Sequence, residues 1–274
     1  MAGPTKLTPV HTTTTTSPSE NVRHIKTGMC PECGEAVGFT VIAFGDLKIP
    51  MECRCKREQR EREEQQKKRL ERAEQIDKLR RAYRNTLPLE YHGATLDGYI
   101  IRSSLQEAER CSCANALAVS RRYVADWEQN RRNGAGLIFI GNSGGGKTHL
   151  ACAIGHAVTG MGYSARYACV VDLLREIRTA PLSCLEDVVD SYKRCSLLIL
   201  DDLGTEKSSD WVDEQLYAII NGRTANYKPT IITTNLASGK DWERVQGKVI
   251  DRIQERCEKV VLKCESYRKK GAHQ

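Results

Sequence analysis

The sequence predicts an α/β protein in which a mostly parallel β-sheet lies between layers of helices, preceded by a small cysteine-bearing module and a helical linker. Three observations support this class. Four short apolar runs in the second half alternate with helical stretches, a pattern typical of buried parallel strands. Four cysteines form two close pairs near the amino terminus, and a charged stretch without Gly or Pro follows them. The apolar runs span residues 137–140, 197–200, 230–233 and 260–262.

The chain of 274 residues is long enough for one substantial domain and a smaller appendage. Its first residues are rich in Thr, Ser and Pro and too poor in apolar side chains to form a core, so we expect disorder there. The predicted segments are a disordered tail at 1–28, a zinc-binding module at 29–56, a basic helical linker at 57–86 and the α/β domain at 87–274.

The apolar content argues against a membrane protein. Hydrophobic residues make up 40% of the chain, yet no apolar run reaches the roughly 18–20 residues that a spanning helix needs. The first residues are polar and lack the apolar core of a signal peptide. We therefore expect a cytoplasmic protein without a membrane partner. Its twelve cysteines should then stay reduced, so that close cysteine pairs indicate metal binding.

Positive charge is concentrated in one stretch. The chain has a net charge of +7, and residues 54–84 hold thirteen Lys or Arg against seven Asp or Glu. Such a stretch favours a polyanionic partner. A charged helix exposed to solvent explains the composition equally well, so both interpretations stay open.

A phosphate-binding loop follows the first apolar run. Residues 141–148 read GNSGGGKT and match the pattern G-x-x-x-x-G-K-[ST]. Its backbone N–H groups can curve around phosphate oxygens, and the next helix points its positive end at the same anion. We predict ATP as the nucleotide, with Lys147 on the β- and γ-phosphates and the Thr148 hydroxyl on Mg²⁺. The predicted nucleotide contacts are Gly141, Asn142, Ser143, Gly144, Gly145, Gly146, Lys147, Thr148 and His149.

Two acidic residues end the second apolar run, about 50 residues after this loop. Residues 197–202 read LLILDD, which is the Walker B pattern. In that pattern Asp201 holds Mg²⁺, and Asp202 orients and deprotonates the attacking water. The next run leads into Asn235, whose amide we place between these acids and the γ-phosphate. A plain strand end and turn is the alternative interpretation of Asn235.

The amino-terminal cysteines predict a zinc site. They form C-x₂-C followed, after nineteen residues, by C-x-C, and four thiolates can close a tetrahedral Zn²⁺ site. A module this small cannot bury enough core to fold alone, so metal would supply its stability. The alternative is four unconnected cysteines. In contrast, Cys111 and Cys113 lie in a helical pattern and are expected to pack in the core. The predicted zinc ligands are Cys30, Cys33, Cys53 and Cys55.

Taken together, these motifs resemble the AAA+ family of P-loop ATPases, and within it the DnaC/DnaI-type replicative helicase loaders. The resemblance runs from about Leu87 to Arg268 and implies an AAA+ fold and slow hydrolysis of ATP to ADP and phosphate. The segments that carry it are LPLEYHGATLDGY (87–99), GNSGGGKTHL (141–150), LILDDLG (198–204), PTIITTNL (229–236), VIDR (249–252) and SYR (266–268).

The resemblance implies roles for two arginines. Arg252 stands where the family has an arginine finger, which reaches the nucleotide of a neighbouring subunit and implies a homo-oligomer with ATP sites at its interfaces. Arg268 stands where the family has its sensor 2 arginine. Lys248 replaces an arginine found in some loaders, so a second finger is in doubt.

The resemblance also implies contacts with single-stranded DNA after the Walker B acids. Ser209 and Trp211 match a hydroxyl and an aromatic that loaders use there, and Lys207 could neutralise a phosphate. An aromatic face can stack on any base. The alternative is that Trp211 is a core residue of the next helix.

The function that the resemblance implies is loading of a hexameric replicative helicase, in the cytoplasm of a bacterial cell or a phage-infected host. Some loaders carry an amino-terminal zinc-binding domain that docks on the helicase. Two other functions stay open. One is an IstB-like transposition helper with the same ATPase core and a preference for duplex DNA. The other is a nucleotide-dependent adaptor in which hydrolysis is incidental.

Overall fold

The chain divides into two compact units that we describe separately. The computed structural model describes residues 14–16, 22–42, 48–207, 209–236 and 247–267, and the units span Met1–Ala73 and Glu74–Gln274. Within the described residues, no helix combines the length and the apolar character that crossing a membrane requires.

The first unit contains an antiparallel sheet with its four strands in chain order. The predicted disorder at 1–28 is wrong for the first two strands, because β-branched Thr, Val and Ile side chains favour extended, paired backbone. The module is therefore larger than the predicted segment 29–56. Its strands are β1 (Thr14–Thr16), β2 (Val22–Met29), β3 (Ala36–Ile42) and β4 (Lys48–Met51).

A long helix forms the predicted basic linker. Helix α1 spans Arg54–Arg84, close to the predicted bounds of 57–86, and its last residues belong to the second unit. Its side chains are mostly exposed, as expected of a stretch rich in Lys, Arg and Glu. Tyr83 is the exception, since it is fully buried and its hydroxyl donates to the carbonyl of Cys152 at 3.1 Å.

The second unit is built around a five-stranded sheet in which all pairs are parallel, in the order β6-β7-β8-β5-β9. All four predicted apolar runs lie in strands of this sheet. The fifth strand, β6, was missed because its sequence ARYAC carries an arginine and no long apolar run. The strands are β5 (Gly136–Gly141), β6 (Ala165–Cys169), β7 (Leu197–Leu203), β8 (Thr230–Thr234) and β9 (Cys257–Leu262).

Helices cover both faces of this sheet, as predicted. Leu137 and Phe139 of β5 pack in one buried cluster with α2 and α4, whereas Ile138 and Ile140 pack in a second cluster with the other long helices. This alternation explains why the strands are apolar throughout. The helices are α2 (Glu107–Ala125), α3 (Trp127–Asn133), α4 (Lys147–Gly160), α5 (Val170–Thr179), α6 (Leu185–Arg194), α7 (Asp210–Ala225) and α8 (Gly247–Arg256).

The topology brings the predicted motifs to one edge. Strands β5, β7 and β8 are neighbours and parallel, so their carboxyl ends lie side by side. The connections that follow β5 and β7 leave this edge toward opposite faces of the sheet. Ligands of open α/β sheets bind at the carboxyl edge at such a point.

Candidate functional site

The phosphate-binding loop connects β5 to α4 with a backbone that needs glycine. Gly146 directly precedes α4 and has a φ of +89°, in the left-handed region. A Cβ atom there would lie 2.6 Å from the Tyr99 ring, so the close approach of Tyr99 also requires glycine. The loop therefore surrounds the amino-terminal end of α4, which favours an anion.

Lys147, in the first turn of α4, is 4% exposed and points into the loop. Its Nζ donates to the carbonyls of Gly141 and Asn142 at 2.8 and 2.9 Å. It also donates to Oδ1 of Asn235 at 2.8 Å. One ammonium thus links the loop to the residue that follows β8, and the roles predicted for Lys147 and Asn235 on the nucleotide stay predictions.

The Asp201 carboxylate is held by three hydroxyl groups. Thr148 and Thr233 donate to Oδ1 at 2.8 and 2.6 Å, and Tyr167 donates to Oδ2 at 2.8 Å. Burial, and then the nearby Asp201 charge, raise the pKa of Tyr167, which keeps its hydroxyl protonated. Oxygen atoms of Thr148 and Asp201 lie together, so this donor set fits the Mg²⁺ ion that an ATP site implies.

Asp202 reaches the same cavity because the strand changes conformation there. Successive side chains of a regular strand point to opposite faces, so two adjacent acids could not both line one site. Asp202 has a φ of +58°, which breaks the alternation, and Asp tolerates this left-handed region better than most residues. Its amide donates to Thr233 Oγ1 at 3.0 Å, and Thr205 donates to its carbonyl at 2.8 Å.

Lys147, Thr148, Asp202 and Asn235 line a cavity of about 150 Å³, and Asp201 is connected to it through its hydrogen bond with Thr148. His149 lies at its border, and its Nε2 is 3.0 Å from the carbonyl of Thr95. A second cavity of about 270 Å³ adjoins the first at Gly146 and His149 and is bordered by Tyr99 and Tyr267. The first cavity is lined by Tyr91, Ser143, Gly144, Gly146, Lys147, Thr148, His149, Asp202, Asn235 and Tyr267.

The four amino-terminal cysteines come together in the first unit. All four sulfur atoms lie within 4.8 Å of one another, and Cys53 and Cys55 are 3.1 Å apart. A tetrahedral site with Zn–S bonds of about 2.3 Å needs sulfur atoms about 3.8 Å apart, so the cluster fits Zn²⁺. Gly34, with a φ of +69°, makes the turn after the first pair.

Backbone amides favour thiolates in this cluster. Hydrogen bonds from the amides of Cys33 and Glu32 lower the pKa of the Cys30 thiol to about 6. The amide of Cys55 has the largest part in lowering the pKa of Cys33. In contrast, hydrogen bonds with Cys53 and Cys30 raise the pKa of Cys55. Thiolates gathered in one place require a compensating cation, which Zn²⁺ would supply.

Comparison with protein families places these features in context. The model of the family described as IstB-like ATP binding protein matches residues 107–274, which is more than half of the chain. The chain belongs to this family. The predicted resemblance to ATPases of the IstB and DnaC type is therefore confirmed, and with it the α/β class with an AAA+ ATP-binding domain.

Relatives within and near the IstB-like family include two curated proteins. Phage-like element PBSX protein XkdC of Bacillus subtilis (strain 168) is 30% identical over 164 residues, which is 56% of this chain and 60% of XkdC. Replicative helicase loader DnaC of Escherichia coli (strain K12) is 24% identical over 188 residues, covering 67% of this chain and 73% of DnaC. A crystal structure of the DnaC helicase loader matches with a TM-score of 0.55 and 30% identity, covering 64% of this chain and 99% of that one.

The structure describes one of the two arginines that the family resemblance implies, and Arg252 is not among the residues that line the cavity. Arg252 is exposed on α8, and its guanidinium pairs with Glu255 at 3.0 Å. This pair raises the pKa of Arg252. An exposed side chain can contact another subunit, and the arginine-finger role of Arg252 stays a prediction. Arg268 lies outside the described residues, and so does the side chain of Lys248.

Two of the three residues predicted to contact DNA, Ser209 and Trp211, have structural roles in this IstB-like chain. Ser209 precedes α7 and accepts a hydrogen bond from the amide of Val212 at 3.3 Å, as a helix-capping serine does. Trp211 is partly buried against the core, and the Arg178 guanidinium lies 4.5 Å from its ring centre. Lys207 is exposed. Contacts of Lys207, Ser209 and Trp211 with DNA stay predictions.

Sequence reasoning missed three aromatic or hydroxyl residues of the nucleotide site. Thr233 precedes Asn235 by two residues in β8, so strand periodicity could have placed it on the same face. Tyr167 belongs to the strand that the apolar pattern did not reveal. Tyr267 forms the border between the two cavities through a backbone bond to the carbonyl of Gly144 at 2.9 Å, and no local pattern predicts that contact. Outside the site, Cys113 is buried as predicted, whereas Cys111 is exposed.

Proposed function

We propose that this chain is an ATP-dependent loader of a replicative DNA helicase that binds ATP, Mg²⁺ and single-stranded DNA. The observation that carries the proposal is a site that joins Lys147 to Asn235 and Thr148 to Asp201, in a chain that covers 99% of a DnaC helicase loader structure at 30% identity. The chain spans only 60% of XkdC. The proposed partners therefore rest on the nucleotide site and on the similarity to DnaC.

In the proposed reaction, ATP enters the loop and Lys147 moves from its carbonyl partners to the β- and γ-phosphates. Thr148 and Asp201 would hold Mg²⁺, which supplies charge neutralisation at these phosphates when bound. The second cavity, beside Tyr99 and Tyr267, lies next to the loop where the base of the nucleotide would extend.

Hydrolysis then requires a base and a positioned water. Asn235 orients the water, and Asp202 accepts its proton as the oxygen attacks the γ-phosphorus. The bond to the bridging oxygen breaks, and ADP leaves with the electron pair. Arg252 of a neighbouring subunit stabilises the charge that develops on the γ-phosphate, so turnover depends on a homo-oligomer.

The first unit is assigned to partner binding. With Zn²⁺ held by the four cysteines, it forms an independent module that docks on the hexameric helicase, while the ATPase unit assembles on DNA. ATP favours assembly and DNA binding in this scheme, and hydrolysis resets the complex.

The test is binding of labelled single-stranded and duplex DNA with and without ATP, using Lys147→Ala as the control. A loader prefers single strands, and the preference needs both ATP and Lys147. Duplex preference would instead support an IstB-like transposition helper, the second candidate, which the IstB-like family match favours.

The adaptor function is tested by turnover. If Asp202→Asn hydrolyses ATP as fast as the wild type, Asp202 is not the base and hydrolysis is incidental. A general base contributes about 10²- to 10⁴-fold, so a loader should lose at least about 100-fold in kcat while still binding ATP.

A further inference from the structure

A second cationic feature lies in the ATPase unit, beside the nucleotide cavity, because His156 of this feature contacts the carbonyl of Tyr91, which lines that cavity. A cleft of about 490 Å³ opens between the end of α1, the middle of α4 and the segment that follows the short helix at Leu89–Tyr91. Arg80 and Arg84 line it from α1, His156 from α4, and His92 and Gly93 from the connecting segment. We call it the arginine cleft.

The arginine cleft holds positive charge without a matching acid. Arg80 and Arg84 are one helical turn apart, and no described carboxylate forms an ion pair with either of them. Asp97 also lines the cleft, but it pairs with Arg121 at 2.8 Å. Two like charges one helical turn apart destabilise a helix, so an anion bound here would relieve a repulsion.

Neighbouring contacts fix the groups around this charge. Arg80 lies against the last turn of α4, where a Cβ atom at Gly160 would be 3.0 Å from its Nη2. Nε2 of His156 is 3.0 Å from the carbonyl of Tyr91, and Nε2 of His92 is 3.2 Å from the carbonyl of Leu87. The two histidine rings are therefore fixed by backbone carbonyls, whereas Arg80 and Arg84 are exposed to solvent.

Positive charge surrounds the His156 side chain. Burial lowers the pKa of His156, and the charges of Arg84, His92 and Arg80 lower it further. In addition, no described residue accepts a hydrogen bond from the Gly93 amide, and a Cβ atom at Gly93 would meet nothing within 4 Å. The backbone at Gly93 is thus open to a ligand.

We propose that the arginine cleft binds phosphate groups of the DNA backbone. The inference rests on the proposed DNA-binding function and adds to it a contact site built from residues other than those of the loop after Walker B. Arg forms bidentate hydrogen bonds with phosphate, and contacts of this kind position a protein on DNA without reading its sequence.

The composition of the cleft favours DNA over an acidic protein. Protein interfaces are enriched in aromatic residues and depleted in charge at their centre, whereas DNA interfaces are polar and strongly positive. The described lining offers two arginines, two histidines and several small residues, and its one carboxylate, Asp97, is neutralised by Arg121. The helix that supplies the arginines carries thirteen basic residues against seven acidic ones.

The experiment measures DNA affinity of the full chain with ATP as a function of salt between about 50 and 200 mM. Arg80→Gln/Arg84→Gln removes both charges from exposed positions and keeps good helix formers. Its matched control is Arg69→Gln/Arg72→Gln, which removes the same charge from the same helix outside the cleft. Arg80→Lys/Arg84→Lys keeps the charge and tests the specific geometry of arginine.

We expect the cleft variant to bind mixed-sequence DNA at least about 10-fold more weakly, and its slope of log K against log salt to fall by about 1–2. The control should stay within about 2-fold of wild type, and the lysine variant should retain the slope. Equal losses in cleft variant and control, or an unchanged slope in the cleft variant, would overturn the proposal. So would unchanged DNA binding with loss of helicase capture, which would point to an acidic protein ligand.

The two proposals fail in different ways. If the cleft variant loses affinity but binding needs neither ATP nor Lys147, the cleft is correct and the loader function is not. If the cleft variant matches wild type while single-strand binding still requires ATP and Lys147, the loader function stands and the cleft proposal is wrong.

Discussion

Three hydroxyls converge on one carboxylate in the nucleotide site. Thr148 is part of the predicted loop, but Thr233 and Tyr167 come from two different strands of the sheet. Because each hydroxyl donates to Asp201, the carboxylate has a fixed orientation toward the loop. Only the Tyr167 hydroxyl donates to Oδ2 of Asp201. Its removal therefore leaves the two threonine bonds to Oδ1 in place.

Tyr167→Phe should therefore impair the metal step without unfolding the protein. Loss of one buried hydrogen bond costs about 1–3 kcal/mol when a charged acceptor is left unpaired. We expect a higher Mg²⁺ concentration at half-maximal ATPase activity and a kcat several-fold lower. Mg²⁺ titration of ATPase activity measures both quantities.

Tyr163→Phe is the matched control, because its hydroxyl bonds the exposed Glu128 away from the site. A Tyr167→Phe variant with the Mg²⁺ dependence of wild type would show that Tyr167 has no positioning role.

At the scale of elements, the cysteine module shows how local order depends on a few side chains. Glu35, just after the first cysteine pair, accepts a hydrogen bond from the Arg54 amide at the start of α1 and pairs with Arg57 at 2.9 Å. The turn and the helix start are thus joined beside the cysteine cluster. Removal of metal should loosen this whole region.

Cys30→Ser should release the zinc and unfold the first unit while the ATPase unit stays folded. We expect one zinc ion per chain in wild type and a large loss in the variant, because structural zinc sites supply the folding free energy of small modules. Zinc content and limited proteolysis measure the two effects. Cys111→Ser, at an exposed cysteine, is the control. Full protease resistance in zinc-free protein would contradict a structural metal.

The elements that the sequence predicts well are those whose pattern is local. The strands β5 and β7 are continuous apolar runs, and the loop between β5 and α4 has a specific glycine spacing. In contrast, β6 is short and interrupted by Arg166, so only pairing with β7 makes it a strand. The paired strands β1 and β2 were likewise missed, because threonine is common both in disordered tails and in strands.

The same contrast between local patterns and long-range contacts holds within the nucleotide site. The residues of the loop and Walker B motifs were predicted because their chemistry requires fixed spacing. The Tyr267 backbone bond to Gly144 joins residues far apart in the chain, and the left-handed Asp202 depends on its bond to Thr233. No sequence window contains either relationship.

At the scale of the whole molecule, the proposed arginine-finger role of Arg252 is the feature that requires an oligomer. Arg252 is exposed and outside the cavity, so a contribution to hydrolysis has to come from a neighbouring copy. Arg252→Ala and Asp202→Asn should each lose at least about 100-fold in turnover when pure. Mixed together, they should recover activity, because some interfaces pair an intact Asp202 with an intact Arg252.

ATPase assays of the mixture at constant total protein measure this recovery. Arg175→Ala is the control, because Arg175 is an exposed arginine on α5 that pairs with Asp172 of the same helix at 2.8 Å. A mixture no more active than its two components would show that Arg252 does not act across an interface.

The central claim is that the chain loads a replicative helicase. The most direct measurement is the amount of hexameric helicase deposited on closed circular single-stranded DNA, which a closed ring cannot thread onto unaided. We expect wild type with ATP to deposit helicase, and Lys147→Ala and the zinc-free Cys30→Ser variant to fail. Equal deposition with and without the wild-type chain would contradict the claim.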